Sequence, residues 1–324
     1  MGNGRSKTSK NREMIPVDND DGVEINIDID TELNESLRDR YEEDRLNFHM
    51  TAEELDDYLK QHEDVINVVY SDDFYYFSGS ENVGELIEDG PREGRILIHD
   101  EDLRYSVYSM VDALVKIQKA YSEQTGDNVR LVRNLYVGCE IEDYNNGTRG
   151  YTEDVFVITG YSYDSRFKMK IPIEENSSDI VVDSRSDARL KKSQVEDLRN
   201  NKLNLGDDKT VNYLIERNQY NNGWFSIAGS HQRSTMTHEL GHAVMTRLTS
   251  NKNLKGVNSY LKDWFKKYRY DPVSGYSQKN YMEAFAECFN LFIHGGKSNS
   301  KMYKEFLTEV APDLGISNMY GVLR

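Results

Sequence analysis

The sequence is poor in cysteine and proline and has no long apolar run. Its 324 residues include only two cysteines, Cys139 and Cys288, which excludes a framework of disulfide bonds. Five prolines exclude a proline-rich stalk. No apolar stretch is long enough to span a bilayer, and the N-terminus lacks the apolar region of a secretory signal peptide. These absences predict a soluble protein made in a reducing compartment, without a transmembrane segment.

Acidic residues exceed basic ones, and the excess is confined to one part of the chain. The whole chain has a formal net charge of −16. Residues 1–100 contain 10 basic and 27 acidic residues, a net charge of −17, whereas residues 101–324 contain 30 and 29, a net charge of +1. Because phosphate repels an acidic surface, we predict no nucleic-acid binding by this N-terminal third and expect it to attract a basic partner.

Composition and periodicity predict three regions and an α+β fold. Residues 1–40 read as a flexible, strand-like acidic arm, since residues 23–30 alternate apolar and polar side chains. Residues 41–100 form a small α+β region that contains the capping box of Thr51 and Glu54 and a Gly-rich linker at 79–95. Residues 101–324 form the main domain. Its first part is predicted to contain a helix over 102–124 and strands over 129–138 and 154–162. A polar insert follows over 165–220 and includes predicted helices near 187–200 and 208–218.

One short motif indicates metal chemistry. His238 and His242 are four residues apart, so on a helix their imidazoles lie one turn apart on the same face. That spacing lets both rings reach one zinc ion, and Glu239 stands where its carboxylate could act on a water bound to the metal. A zinc site of this kind needs a third protein ligand. The residues that follow His242 offer no histidine at the spacing required, so the ligand must come from elsewhere in the chain.

The best candidate for the third ligand is Glu283. It lies in a predicted helix that is apolar on most faces, together with Glu287 one turn later. Buried carboxylates are costly unless they are paired or bind a metal. Two other interpretations stay open: Asn280 and Glu283 also fit a helix-capping box, and Glu287 could lie on an exposed face rather than orient a ligand histidine.

Tyr276 and residues 224–228 complete the set of candidates. Tyr276 precedes Glu283 by seven residues, and its phenol could stabilise an oxyanion near the metal, although packing alone would explain a tyrosine in this chain of 22 tyrosines. A turn at 221–223 is followed by a short predicted strand that could pair with an extended peptide. Its residues are Trp224, Phe225, Ser226, Ile227 and Ala228.

Three segments together resemble the zinc peptidase domain of anthrax toxin lethal factor and its relatives. They are THELGHA at 237–243, SGYSQKNYMEAFAECF at 274–289 and GWFSIAG at 223–229. The relatives include domains at the C-termini of bacteriophage minor head proteins and of mobile-element toxins. The resemblance covers roughly residues 105–324 and implies a zincin-like α+β domain with a small mixed sheet and active-site helices.

The resemblance also implies roles for individual residues. His238, His242 and Glu283 would bind one zinc ion per chain, Glu239 would be the general base, and Tyr276 would donate to the oxyanion or act as a general acid. Residues 224–228 would line the substrate cleft. Met282 and Ala284, which flank Glu283, depart from the family pattern without changing the ligand.

The sequence therefore predicts a zinc-dependent endopeptidase of phage or mobile-element origin, located in the bacterial host cytoplasm or in the virion. Its substrate is a polypeptide. The alternative is a structural or cargo protein of a phage particle, whose metal site is inactive or only self-processing and whose acidic N-terminal region docks to other particle proteins. A third hypothesis is a toxin delivered to a eukaryotic cytosol, because residues 1–6 match an N-myristoylation pattern.

Overall fold

The computed structural model describes residues 47–70, 100–139, 150–166, 168–183, 226, 231–251 and 254–324. The predicted arm at 1–40, the linker at 79–95 and the predicted helices near 187–200 and 208–218 lie outside these residues. The helices are α1 (Ala52–Gln61), α2 (Asp100–Thr125), α3 (His231–Ser250), α4 (Val257–Tyr268), α5 (Tyr281–Ile293), α6 (Lys301–Glu305) and α7 (Ala311–Asp313), with short 3-10 turns at Tyr276–Gln278 and Ser317–Met319 and a π turn at Phe306–Val310 between α6 and α7.

The strands form one small mixed sheet, and the α+β prediction is confirmed. They are β1 (Asn67–Tyr70), β2 (Val132–Cys139), β3 (Gly150–Asp164) and β4 (Met169–Asp183), in the spatial order β1-β2-β4-β3. β1 and β4 both pair with β2 in parallel, whereas β3 runs antiparallel to β4. β3 is therefore an edge strand of the described sheet. β2 covers only the last part of β4, from Ser178 to Asp183, so the rest of the β3–β4 hairpin is two-stranded.

The predicted local signals coincide with the observed elements. Thr51 and Glu54 form the capping box at the start of α1. α2 spans the predicted helix, and the side chains at its helical repeat are fully buried in the core, namely Val111, Leu114, Ile117 and Tyr121. Leu55 of α1 and Ile66 before β1 belong to this same core. Part of the region 41–100 is thus packed with the residues that follow position 100.

β4 is the element that the sequence analysis missed. Its residues fall in the stretch interpreted as a polar insert, because its middle, from Glu174 to Asp179, is entirely polar. Apolar residues stand on either side of this run, namely Met169, Ile171 and Ile173 before it and Ile180, Val181 and Val182 after it. Two of its buried polar side chains have partners: the hydroxyl of Ser177 donates to the backbone oxygen of Arg130 at 2.8 Å, and Asp179 accepts from Arg133 at 2.5 Å. Because these bonds form only in the folded sheet, periodicity along the chain carries no sign of them.

α3 lies between the sheet and α5. It contacts β3 and β4 on one side, and on the other it approaches α5 so closely that a Cβ at Gly241 would lie 2.8 Å from the Cα of Ala286. This close approach requires glycine in the middle of the helix that bears the histidine pair. Among the described residues, no helix is long and apolar enough to cross a membrane.

Candidate metal centre

α3 and α5 bring three predicted ligands to one point. His238 and His242 lie one turn apart on α3, and their Nε2 atoms are 3.2 Å apart. Oε2 of Glu283, from the first turn of α5, lies 3.1 Å from Nε2 of His238 and 3.2 Å from Nε2 of His242. The three residues form a group that could hold a metal ion.

The size of this triangle fits a tetrahedral ion. A zinc site with bonds of about 2.0–2.1 Å places its ligand atoms about 3.3–3.4 Å apart. The three observed separations of 3.1–3.2 Å are within a few tenths of an ångström of that value. Two imidazole nitrogens and one carboxylate oxygen are also a donor set that zinc accepts, and a tetrahedral ion would keep a fourth position open.

The start of α5 explains how Glu283 reaches the histidines. Asn280 is the N-cap, and its side-chain oxygen accepts from the backbone N–H groups of Met282 and Glu283. The capping interpretation is thus correct for Asn280. The carboxylate of Glu283, however, turns to the two histidines, and it is partly buried.

Burial and hydrogen bonding act in opposite directions on the pKa values of the ligands. Burial favours the uncharged forms, but the hydrogen bonds to Glu283 and Glu287 outweigh it and raise the pKa of His238 well above its usual value. Burial likewise works to raise the pKa of Glu283, yet the bonds from His238 and His242 lower it far below the usual range. The site therefore favours an ionised Glu283 opposite a basic His238.

Glu287 fixes the ring of His238. It lies one turn after Glu283, and its side chain is 1% exposed, so the interpretation of an exposed face is wrong. Oε1 of Glu287 is 2.7 Å from Nδ1 of His238. Since an ionised carboxylate only accepts, Nδ1 carries the proton in the neutral ring, and the lone pair at Nε2 is left for a metal.

A buried polar network holds Glu287 in turn. Its Oε2 accepts from the backbone N–H of Ser226 at 2.5 Å and from the hydroxyl of Ser274 at 2.6 Å. Asn290 accepts from Thr237 at 2.5 Å and donates to the backbone oxygen of Ser226. The network thus ties α3, α5 and Ser226 together behind the ligands.

Ser226 is the one residue of the predicted strand at 224–228 that the structure describes. It lies in no strand, and its backbone N–H and hydroxyl are both bonded to Glu287. Trp224, Phe225, Ile227 and Ala228 lie outside the described residues. Ser226 therefore helps to hold Glu287, which in turn contacts His238. No sequence pattern indicated this contact.

Thr152 of β3 forms a hydrogen bond that links the sheet to the carboxylate of Glu239. The hydroxyl of Thr152 donates to Oε2 of Glu239 at 2.6 Å. Two residues earlier in β3, a Cβ at Gly150 would meet Thr235 and Val181 at 3.0 Å and Glu239 at 3.3 Å, so glycine lets the edge strand approach α3. No sequence pattern predicted the role of Thr152, because its contact depends on how β3 packs against α3.

Tyr276 lies beside the ligands. Its ring centroid is 5.7 Å from that of His238, and Nζ of Lys279 lies 4.1 Å above its ring. Burial, together with the charges of Glu283 and Glu239, raises the pKa of Tyr276, and a hydrogen bond to Glu283 adds to the shift. The phenol therefore stays protonated and can donate a hydrogen bond.

The chain was compared with protein-family models, with curated proteins and with solved structures, and none of the three comparisons found a match. The arrangement of the described residues thus has to carry the functional argument. It defines a group of two histidines and one glutamate that could hold a metal ion, with a second glutamate, a tyrosine and an edge strand around it.

Proposed function

We propose that the protein is a zinc-dependent endopeptidase. The observation that carries this proposal is the triangle of Nε2 of His238, Nε2 of His242 and Oε2 of Glu283, with separations of 3.1–3.2 Å. A zinc site with three protein ligands keeps one position for water or substrate, which is the arrangement of catalytic rather than structural zinc sites. The resemblance to lethal-factor-type peptidases supports the same proposal.

The remaining residues supply the acid–base chemistry. Zinc, when bound, polarises the scissile carbonyl and lowers the pKa of its water. Glu239 accepts the proton from the attacking water and passes it to the leaving nitrogen. Thr152 occupies Oε2 of Glu239, which leaves the other carboxylate oxygen for the transfer. Tyr276, protonated because of its raised pKa, donates to the carbonyl oxygen as negative charge develops there.

The edge strand β3 supplies a binding surface for an extended peptide. Among the described residues, β3 pairs with β4 alone, so it is an edge strand to which an extended peptide could add beside Glu239. A peptide added along this edge would pass the metal ligands in extended form. In this proposal β3 takes the substrate role that the sequence analysis gave to residues 224–228.

Metal analysis and a cleavage assay test the proposal. Protein purified without chelator should contain close to one zinc per chain and should cleave a generic unfolded substrate such as β-casein. The Glu239→Gln variant should keep its zinc and lose at least about a hundredfold in rate. Protein that excludes zinc, or a Glu239→Gln variant as active as the wild type, would refute the proposal. Zinc binding without cleavage would favour the alternative of a particle protein.

A further inference from the structure

The outer part of the β3–β4 hairpin carries an exposed apolar stripe. Most of the exposed large apolar side chains among the described residues lie on these two strands. We call residues 155–177 the β-arm. On β3, Phe156 and Tyr163 are 64% and 65% exposed, and Ile158 and Tyr161 between them are 57% and 62% exposed.

A bulge aligns these four side chains on one face. Their partners on β4 are Asn176, Glu174, Pro172 and Lys170, which alternate and therefore share a face. In a regular strand, Ile158 and Tyr161 would point to opposite faces, because their positions differ by three, an odd number. The register shift between Ile158 and Gly160 adds one residue and brings them to the same side.

The stripe continues the face on which α3 packs. Thr152 and Asp154 precede Phe156 on this face and bond to Glu239 and Thr246 of α3. α3 ends at Ser250, which bonds to Asn176, the ladder partner of Phe156. The stripe therefore begins where the helix that bears the ligands ends, and it runs outward from the candidate metal centre along the same edge strand.

The turn of the β-arm is basic. Arg166, Lys168 and Lys170 lie at or beside the turn, opposed by the single acidic residue Asp164, which pairs with Arg166 at 2.9 Å. Tyr163 is eleven residues from Thr152, a distance of about 37 Å along an extended strand. A segment that pairs with the whole of β3 would thus meet a metal centre at one end and positive charge at the other.

We propose that the β-arm is a second binding site for the polypeptide substrate, remote from the bond that is cleaved. The inference rests on the proposed function. Its occupant is an extended substrate segment that adds to the outer edge of β3, with alternate apolar side chains beside the stripe and acidic residues at the turn. Because antiparallel pairs are the more stable, the segment runs opposite to β3, so its acidic residues precede its apolar ones.

A binding measurement with zinc-loaded Glu239→Gln protein tests this site without cleavage. The probe is a fluorescein-labelled peptide with three N-terminal glutamates followed by isoleucines that alternate with serines. The paired variant Phe156→Ser/Tyr161→Ser should bind it about tenfold more weakly, and Lys168→Glu should weaken binding several-fold. Tyr270→Ser, which removes an exposed aromatic ring outside the β-arm, is the matched control and should bind as the parent protein does.

The outcomes separate this inference from the proposed function. If the wild type cleaves casein but the β-arm variants bind the probe as the parent does, the inference fails and the peptidase stands. If the wild type cleaves nothing but the probe binds through the β-arm, the site stands without the peptidase. Circular dichroism and melting temperature show whether each variant is folded. If sedimentation velocity shows that the β-arm instead pairs two copies of the chain, the inference is overturned.

Discussion

At the scale of single residues, the candidate site depends on groups that do not touch the metal position. His238 is useful as a ligand only if its proton is at Nδ1, and the carboxylate of Glu287 enforces this. Glu287 is itself fixed by a backbone N–H from Ser226 and a hydroxyl from Ser274. The buried network behind the candidate ligands thus fixes their orientation. A conservative change within this network should therefore have a large effect on metal binding.

We expect Glu287→Gln to weaken zinc binding about 10–100-fold. An amide has one oxygen, whereas the carboxylate accepts from donors on both sides. If the oxygen of the glutamine faces Ser226 and Ser274, its NH₂ faces Nδ1 of His238 and favours the tautomer whose proton blocks the metal. If the amide is reversed, two donors meet at Ser226.

Competition with a chromophoric chelator measures this affinity. Glu309→Gln, an exposed glutamate after α6, is the control and should bind zinc as the wild type does. An affinity for Glu287→Gln within twofold of the wild type would show that the network does not position His238.

At the scale of elements, sequence patterns predicted the helices of the site well. Two histidines and two glutamates, each pair four residues apart, define faces of α3 and α5 that need no tertiary information. β4 was missed because the buried Ser177 and Asp179 find their hydrogen-bond partners only in other parts of the chain. Thr152 and Ser274 were missed for the same reason, since their roles follow from strand register and loop position.

The packing of α3 against α5 makes a prediction for Gly241. An added Cβ would lie 2.8 Å from Cα of Ala286 and 3.3 Å from Cβ of Phe289, so the two helices must separate. We expect Gly241→Ala to lower the free energy of unfolding by about 1–3 kcal/mol, although alanine has the better helix propensity. Zinc affinity should fall as well, because His238 and Glu283 lie on the two helices that move apart.

Thermal unfolding with and without chelator measures the first effect, and a zinc titration measures the second. Gly160→Ala is the control, because there the nearest atom to a new Cβ is at the ordinary contact distance of 3.8 Å. A Gly241→Ala protein as stable as the wild type would contradict the close approach of α3 and α5.

At the scale of the whole molecule, a buried polar cluster behind the site couples stability to pH. His294, fully buried after the end of α5, has Nδ1 2.8 Å from the backbone oxygen of Asn290. Burial and the nearby charge of Arg233 lower the pKa of His294 to about 3, against the opposing effect of that hydrogen bond. Arg233 also pairs with Asp112 at 3.5 Å, so the cluster joins α2, α3 and α5.

The lowered pKa sets the direction of the pH effect. An unfolded histidine takes up a proton below about pH 6.5, whereas His294 in the folded protein stays neutral until about pH 3. Its contribution to stability is therefore complete above pH 6.5 and is lost as the pH falls from 6.5 towards 3. At pH 4.5 the loss should amount to about 2–3 kcal/mol, or 1.36 kcal/mol for each pH unit below 6.5.

Urea unfolding at pH 7 and pH 4.5, in the presence of chelator, tests this prediction. The quantity compared is the slope of the free energy of unfolding against pH in the wild type and in two variants. His294→Asn keeps a donor in place of Nδ1 but cannot be protonated in this range, so its stability should fall about 2–3 kcal/mol less between the two pH values than that of the wild type. His49→Asn replaces an exposed histidine and should keep the slope of the wild type. Because carboxylates titrate alike in all three proteins, the difference in slope isolates His294. Equal slopes for His294→Asn and the wild type would show that titrating groups other than His294 cause the loss of stability in acid.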